Sequence, residues 1–190
     1  MEFCGSSNVT DDNGHGTAVA GVIAAANDNS GVVGIASNIN IKIMPIKSVD
    51  SKGEASTSNL ILGMKYADAN GATICNCSWG GESDAREFLQ DMLMKQVIAA
   101  SDMLFVAASG NETTDIDNTE YIPASFTTDN LITVGSIEWD GSLSWFSNYG
   151  SNSMEICAPG AAIYTVNAGG GYVFEWGTSF STPYVVGGAA

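Results

Sequence analysis

Gly177-Thr178-Ser179-Phe180-Ser181-Thr182-Pro183, with Tyr184 and the small apolar run Val185-Val186-Gly187-Gly188-Ala189-Ala190 behind it, is the stretch on which the reading of this chain turns. It reads as a serine presented at the mouth of a buried helix. The first N–H groups of a helix have no internal partners, so Pro183 is tolerated if the helix begins near Phe180. Those free donors and the helix dipole favour nearby negative charge, which puts Ser179 where an oxyanion could be held. A Ser/Thr cap followed by a packed helix would have the same residues, and the stretch alone does not separate the two readings.

Two further stretches bear on it. Asp12-Asn13-Gly14-His15-Gly16-Thr17 carries the only histidine and leads into Ala18-Val19-Ala20-Gly21-Val22-Ile23-Ala24-Ala25-Ala26, a helix apolar all round and therefore expected to be buried. Glycines on both sides of His15 give the imidazole room beside another backbone or a substrate, although a lone histidine at a helix start is also a common structural feature. Val106-Ala107-Ala108-Ser109-Gly110-Asn111 is an apolar strand ending in a glycine and a carboxamide. Asparagine is also an ordinary turn residue, so Asn111 is ambiguous by itself.

In their order along the chain, His15-Gly16-Thr17-x-Val19-Ala20-Gly21, Gly110-Asn111, Ala158-Pro159-Gly160 and Gly177-Thr178-Ser179-x-Ser181-Thr182-Pro183 resemble the subtilisin-like serine proteases, the subtilases. The resemblance covers nearly the whole chain. It implies an α/β, three-layer fold with a mostly parallel central sheet and helices on both faces. It makes Ser179 the nucleophile, His15 the general base and then acid, and Asn111 the side-chain donor to the oxyanion beside the Ser179 N–H, chemistry that suits these residue types. Peptide contacts are implied at Gly53, Glu54 and Ala55 on one side and at Ser78, Trp79, Gly80 and Gly81 on the other. Ala108, Ser109, Gly110, Ala124 and Thr178 are implied as further substrate-binding residues. Tyr121-Ile122-Pro123-Ala124-Ser125 resembles the wall of the family's S1 pocket, with Glu112 near its rim.

The aspartate that orients the histidine in subtilases lies on a strand well upstream, in an Asp-Ser/Thr-Gly motif, and only fourteen residues precede His15 here. Asp11 and Asp12 belong to the loop leading into the histidine. Residues 1–190 are therefore expected to be a partial subtilisin-like catalytic domain, with the orienting aspartate outside them. The resemblance needs no cofactor for the chemistry. It implies a structural calcium at Asn27-Asp28-Asn29-Ser30-Gly31 with Asp28 as side-chain ligand, where a plain polar turn is the other reading. It also favours a secreted or cell-surface location.

A composition of 45% hydrophobic and 14% charged residues fits one globular domain. Twenty-one acidic against six basic side chains give a net charge of −15, which argues against a nucleic-acid partner and mildly favours neutral or basic substrates, although a solvated acidic surface would look the same. No apolar run is long enough to span a bilayer. Cys75 and Cys77 lie two apart on one strand and Cys157 in another, with no Cys-x-x-Cys pair, so the cysteines are expected to be reduced, buried and without metal.

Along the chain, residues 39–47, 72–77, 103–108, 131–135 and 153–158 read as short buried strands. Leu60, Ile61, Met64 and Ala67 fall at helical spacing behind Ser58 or Asn59 as a cap. Asp84 and Glu87 suggest a capping box opening a helix whose core stripe is Phe88, Met92, Leu93 and Val97. Trp79 is a core aromatic or a substrate contact, and Gly169-Gly170-Gly171 reads as a flexible approach to Ser179. Strands alternating with helices imply parallel crossovers. Two functions fit: a serine endopeptidase acting on peptide or protein substrates, or a catalytically inactive binding module on the same fold. The sequence leaves oligomeric state open.

Overall fold

A computed structural model describes residues 1–5 and 8–190. In chain order the elements are α1 His15–Ala24, α2 Thr57–Ala69, β1 Ile74–Cys77, β2 Gly81–Glu82, α3 Phe88–Ala100, β3 Leu104–Ala108, β4 Tyr121–Ile122, β5 Leu131–Ile137, β6 Ile156–Pro159, β7 Ile163–Val166, β8 Tyr172–Glu175 and α4 Thr178–Ala189. The central sheet has the order β1-β3-β5-β6 and every pairing in it is parallel.

β3 shows why the sheet is covered on both faces. Phe105 and Ala107 point into one core with Ile61 and Met64 of α2 and Met94 and Ile98 of α3. Val106 points into a second core with Ile23 of α1 and Val186 of α4. Strand side chains alternate with a period of two, so a strand apolar at every position is buried from both sides. The fold is α/β with three layers, as the sequence pattern indicates.

The helices partly depart from the sequence reading. The cap of α2 is Ser56, whose side chain accepts the Asn59 N–H, and not Ser58 or Asn59. The capping box of α3 does not form: Asp84 is held by Arg86, and Glu87 accepts the Thr57 hydroxyl at 2.6 Å. The expected stripe of α3 is also displaced in part: Val97 packs half-buried against the core, but Phe88, Met92 and Leu93 are exposed while Asp91, Met94 and Ile98 form the buried face. Ser83 donates to Asp91 at 2.7 Å, and satisfying that buried carboxylate helps fix which face of the helix turns inward.

Residues 39–46 do not form a strand, and only Lys47 pairs, with Glu2, in a parallel bridge flanked by Phe3 N–H to Lys47 O at 2.8 Å. Alternating hydrophobicity signals a strand only where a partner lies alongside. Here a cleft of about 2130 Å³ separates residues 40–47 from β1, and Ile39 and Ile43 are exposed. Four short strands are not anticipated by the sequence: β2 and β4 pair antiparallel outside the central sheet, and β7 and β8 form an antiparallel hairpin whose turn contains Gly169-Gly170-Gly171, which is therefore not an approach to Ser179. The hairpin leans on α1, where Thr165 donates to the Ala18 carbonyl at 2.7 Å.

The buried face of α3 can be tested by unfolding the full-length protein in urea. Met94→Ala should cost about 2–5 kcal/mol, whereas Leu89→Ser, at a position 81% exposed, should stay within about 0.5 kcal/mol. Equal losses would mean that the inward face of α3 is not the one defined by Asp91, Met94 and Ile98.

Candidate active site

α4 begins at Thr178, two residues before the position expected, with Gly177 as its N-cap in an extended positive-φ conformation. Pro183 is consequently inside the helix. A proline there removes the N–H that would pair with the carbonyl four residues back, which is that of Ser179. Ser78, just after β1, fills the vacancy by donating its hydroxyl to the Ser179 carbonyl at 2.6 Å. In return the Ser179 hydroxyl donates to the Ser78 carbonyl at 3.1 Å. Two reciprocal bonds thus tie the first turn of α4 to the end of the sheet.

Asn111 follows β3 and meets the same turn. Its side-chain oxygen accepts the Thr178 N–H at 2.8 Å and the Thr178 hydroxyl at 3.1 Å, and the buried Thr178 hydroxyl accepts the Gly110 N–H at 3.1 Å. With that oxygen committed, the carboxamide NH₂ is the end left for another acceptor. The Asn111 backbone N–H donates to Glu112, whose carboxylate also accepts from Asn148 at 2.8 Å and Tyr121 at 3.2 Å. Burial and the Glu112 charge push the Tyr121 hydroxyl well above its ordinary pKa, so it stays a donor. The fully buried Asn148 returns its own oxygen to the N–H groups of Glu112 and Thr114, both at 2.9 Å. No sequence signal marks Asn148, because a buried asparagine in a loop looks like any turn residue.

His15 opens α1. Its loop is held by Asp11, which accepts the N–H groups of Asn13, Gly14 and Thr17 and the Thr17 hydroxyl. Burial pushes the Asp11 carboxyl up, but the Thr17 hydroxyl and these amides outweigh it and bring its pKa down to about 2. The His15 ring packs edge-on against Phe180, the residue after Ser179, with centroids 5.4 Å apart. Desolvation holds its pKa below the ordinary value, partly offset by the charges of Glu175 and Asp11. Among the described residues no hydrogen bond joins the ring to Ser179.

His15, Asn111 and Ser179 open on the large cleft. Gly53, Glu54 and Ala55 reach it from an exposed turn closed by Asp50, which accepts the Lys52 and Glu54 N–H groups. Ser78, Trp79, Gly80 and Gly81 line it from the other side, as do Ala108, Gly110 and Thr178. Ser109 and Ala124 do not: both are buried, Ser109 against Asn148 and Ala124 under the Thr133 hydroxyl. Gly80 is small for a reason internal to the fold, since a Cβ there would lie 2.9 Å from the Ile122 carbonyl, whereas Gly81 has open space. Gly160, after β6, sits where a Cβ would lie 2.2 Å from the Ser181 hydroxyl, so the start of α4 packs directly on it.

Asp28 accepts the Ser30 N–H at 3.0 Å in an exposed loop, and no group of three His, Cys, Asp or Glu side chains comes together among the described residues. The four cysteines are free, but only Cys77 is buried; Cys4, Cys75 and Cys157 are half-exposed. No described helix is long and apolar enough to cross a membrane.

Residues 5–190 match the sequence profile of the subtilase family. The chain belongs to that family. It is 35% identical over 187 residues to subtilisin DY of Bacillus licheniformis, covering 98% of this chain and 65% of that protein. It is 38% identical over 186 residues to alkaline elastase YaB of a Bacillus species, covering 98% of this chain and 46% of the relative. Among solved structures, a cold-adapted subtilisin-like serine proteinase superposes with a TM-score of 0.77 at 32% identity, over 96% of this chain and 62% of that one. The chain spans less than two thirds of these relatives.

The Asp11 loop makes a pH prediction. Its folded pKa lies below the unfolded one, so the stability it contributes is present above about pH 4 and is lost as pH falls towards about 2. The difference in urea midpoint between the full-length protein and Asp11→Asn should therefore be clear at neutral pH and shrink as the pH is lowered through that window. A difference independent of pH would mean that Asp11 acts through packing and not through its charge.

Proposed function

We propose that this subtilase chain carries the reacting groups of a serine endopeptidase acting on peptide or protein substrates. Ser179 is the nucleophile, His15 takes its proton and later hands it to the leaving amine, and Asn111 donates to the oxyanion. The observation that carries the reading is the commitment of the Asn111 oxygen to Thr178, which leaves the carboxamide NH₂ as a donor at the same helix start that bears Ser179. A donor fixed before the reaction needs no reorganisation when negative charge develops, which is where most of its catalytic value lies.

Two features of the resting geometry enter the first step. The Ser179 hydroxyl donates to the Ser78 carbonyl, so it must rotate towards His15 before attack. The lowered pKa of His15 keeps the imidazole neutral and able to accept that proton near neutral pH. As the Ser179 oxygen bonds to the substrate carbonyl carbon, its proton passes to His15 and the carbonyl π electrons move to oxygen, facing Asn111. Collapse of this intermediate breaks the C–N bond as His15 returns the proton to the departing amine, leaving an acyl-enzyme for water to hydrolyse by the reverse sequence. The carboxylate that orients His15 is assigned to sequence outside residues 1–190, since Asp11 is engaged in holding the loop before α1.

In the full-length protein, Ser179→Ala should abolish labelling by a fluorophosphonate probe while Ser181→Ala leaves labelling in place. Equal loss in both variants would overturn the assignment of Ser179 as the nucleophile, and no labelling of the parent protein would favour the inactive binding module. Asn111→Ala should lower kcat by roughly 10²–10³ with little change in KM, as for a donor used mainly in the transition state. A change confined to KM would make Asn111 a binding or turn residue.

A further inference from the structure

The β7–β8 hairpin, absent from the sequence reading, builds a second cavity against the histidine. It has a volume of about 280 Å³ and lies between the start of α1 and the hairpin. His15, Asn13, Asn167 and Glu175 supply its polar lining, with Val166 and Val173 as apolar walls. Its lining has one carboxylate and no lysine or arginine. Glu175 is half-buried at the end of β8, and its charge acts on the His15 ring. The side-chain ion pairs among the described residues, Lys47 with Asp12 and Arg86 with Asp84, lie elsewhere, so Glu175 has no cation of its own.

The position of this cavity decides which part of a substrate could enter it. Asn111 and the loop after β1 border the large cleft and not this one. His15 borders both. In the endopeptidase reading, on which this inference rests, His15 delivers a proton to the departing amine and so must face the part of the substrate that leaves. A cavity that His15 borders and Asn111 does not is therefore assigned to the leaving segment. A half-buried carboxylate between two carboxamides, with aliphatic walls, is suited to a long side chain whose stem is apolar and whose tip is cationic.

We propose that Glu175 makes the site select peptides with a lysine or arginine side chain immediately on the leaving-amine side of the cleaved bond. The selectivity comes from charge pairing and from the apolar contact of the stem with Val166 and Val173. Its electrostatic part weakens as salt screens the pair.

The test uses the full-length protein and internally quenched peptides that are identical except for Lys, Arg, Ala or Glu after the cleaved bond. At low salt kcat/KM should be roughly fivefold to tenfold higher for Lys and Arg than for Ala, with the margin shrinking at about 0.5 M salt. Glu175→Gln should remove most of the margin, and Glu175→Arg should reverse it in favour of the Glu peptide. Because the Glu175 charge also acts on His15, either variant shifts the rate for every peptide alike; the ratio between peptides is the readout. A Lys-to-Ala ratio near one, or a ratio unchanged by Glu175→Gln while all rates move together, would overturn the inference and leave the endopeptidase reading standing. No cleavage of any peptide, together with no fluorophosphonate labelling of Ser179, would overturn both.

Discussion

The placement of the candidate site depends on how α4 starts. A helix carrying a proline in its interior has one carbonyl without its usual partner, and in α4 that carbonyl belongs to Ser179. A buried acceptor left unpaired costs about 1–3 kcal/mol, so the fold must bring a donor to it. Ser78 is that donor, delivered by the parallel strand β1. The need to satisfy one backbone oxygen thus fixes the backbone of Ser179 against the end of the sheet. The same turn presents the Thr178 N–H and hydroxyl to Asn111 at the end of β3. Parallel strands running in one direction place these loops at one edge of the sheet, where α4 also packs across all four strands.

The small residues of the neighbouring motifs follow from this crowding. Gly160 after β6 leaves room for Ser181, and Ala18 and Gly21 of α1 let the β7–β8 hairpin approach until Thr165 can reach the Ala18 carbonyl. A Cβ at Gly21 would lie 2.5 Å from Val166. Glycine there serves packing of a hairpin against a helix. The apolar, small-residue character of α1 was read in the sequence as a sign of burial; its second consequence, the approach of the hairpin, needs the tertiary structure to be seen.

Much of the fold and site was legible because it rests on local chemistry. The strands of the parallel sheet are apolar at nearly every position, and burial from two sides is the physical reason such runs exist. Residues 39–47 have a similar pattern yet remain unpaired up to Ile46, because pattern reports what a segment could bury and not whether a neighbour is present. The α3 stripe failed for a related reason. Phe88, Met92 and Leu93 share a face by spacing, but the face that turns inward is set by Met94, Ile98 and the Ser83–Asp91 bond, and a buried aspartate is invisible to a hydrophobic count. The resemblance implies Ser109 and Ala124 as substrate-binding residues, whereas both are buried in tight packing and do not line the cleft. The hairpin had a readable signal that was missed: Ile163 to Val166 and Tyr172 to Phe174 are rich in β-branched and aromatic residues on either side of a glycine-rich turn.

Net charge gives no account of how the acidic residues act on the site, and their local partners do. Glu112 lies beside Asn111 and Glu175 beside His15, but Glu112 accepts hydrogen bonds from the Asn111 backbone, Asn148 and Tyr121. Three donors converging on one carboxylate stabilise it in place and spread its charge into the scaffold, which suits a group that holds Asn111. Glu175 lines a cavity with apolar walls and has no cationic partner in the ion pairs among the described residues. A carboxylate so placed still attracts whatever cation can enter. The two glutamates therefore divide structural support from selectivity according to how many donors the fold supplies to each, and the −15 charge by itself would have suggested one undifferentiated acidic surface.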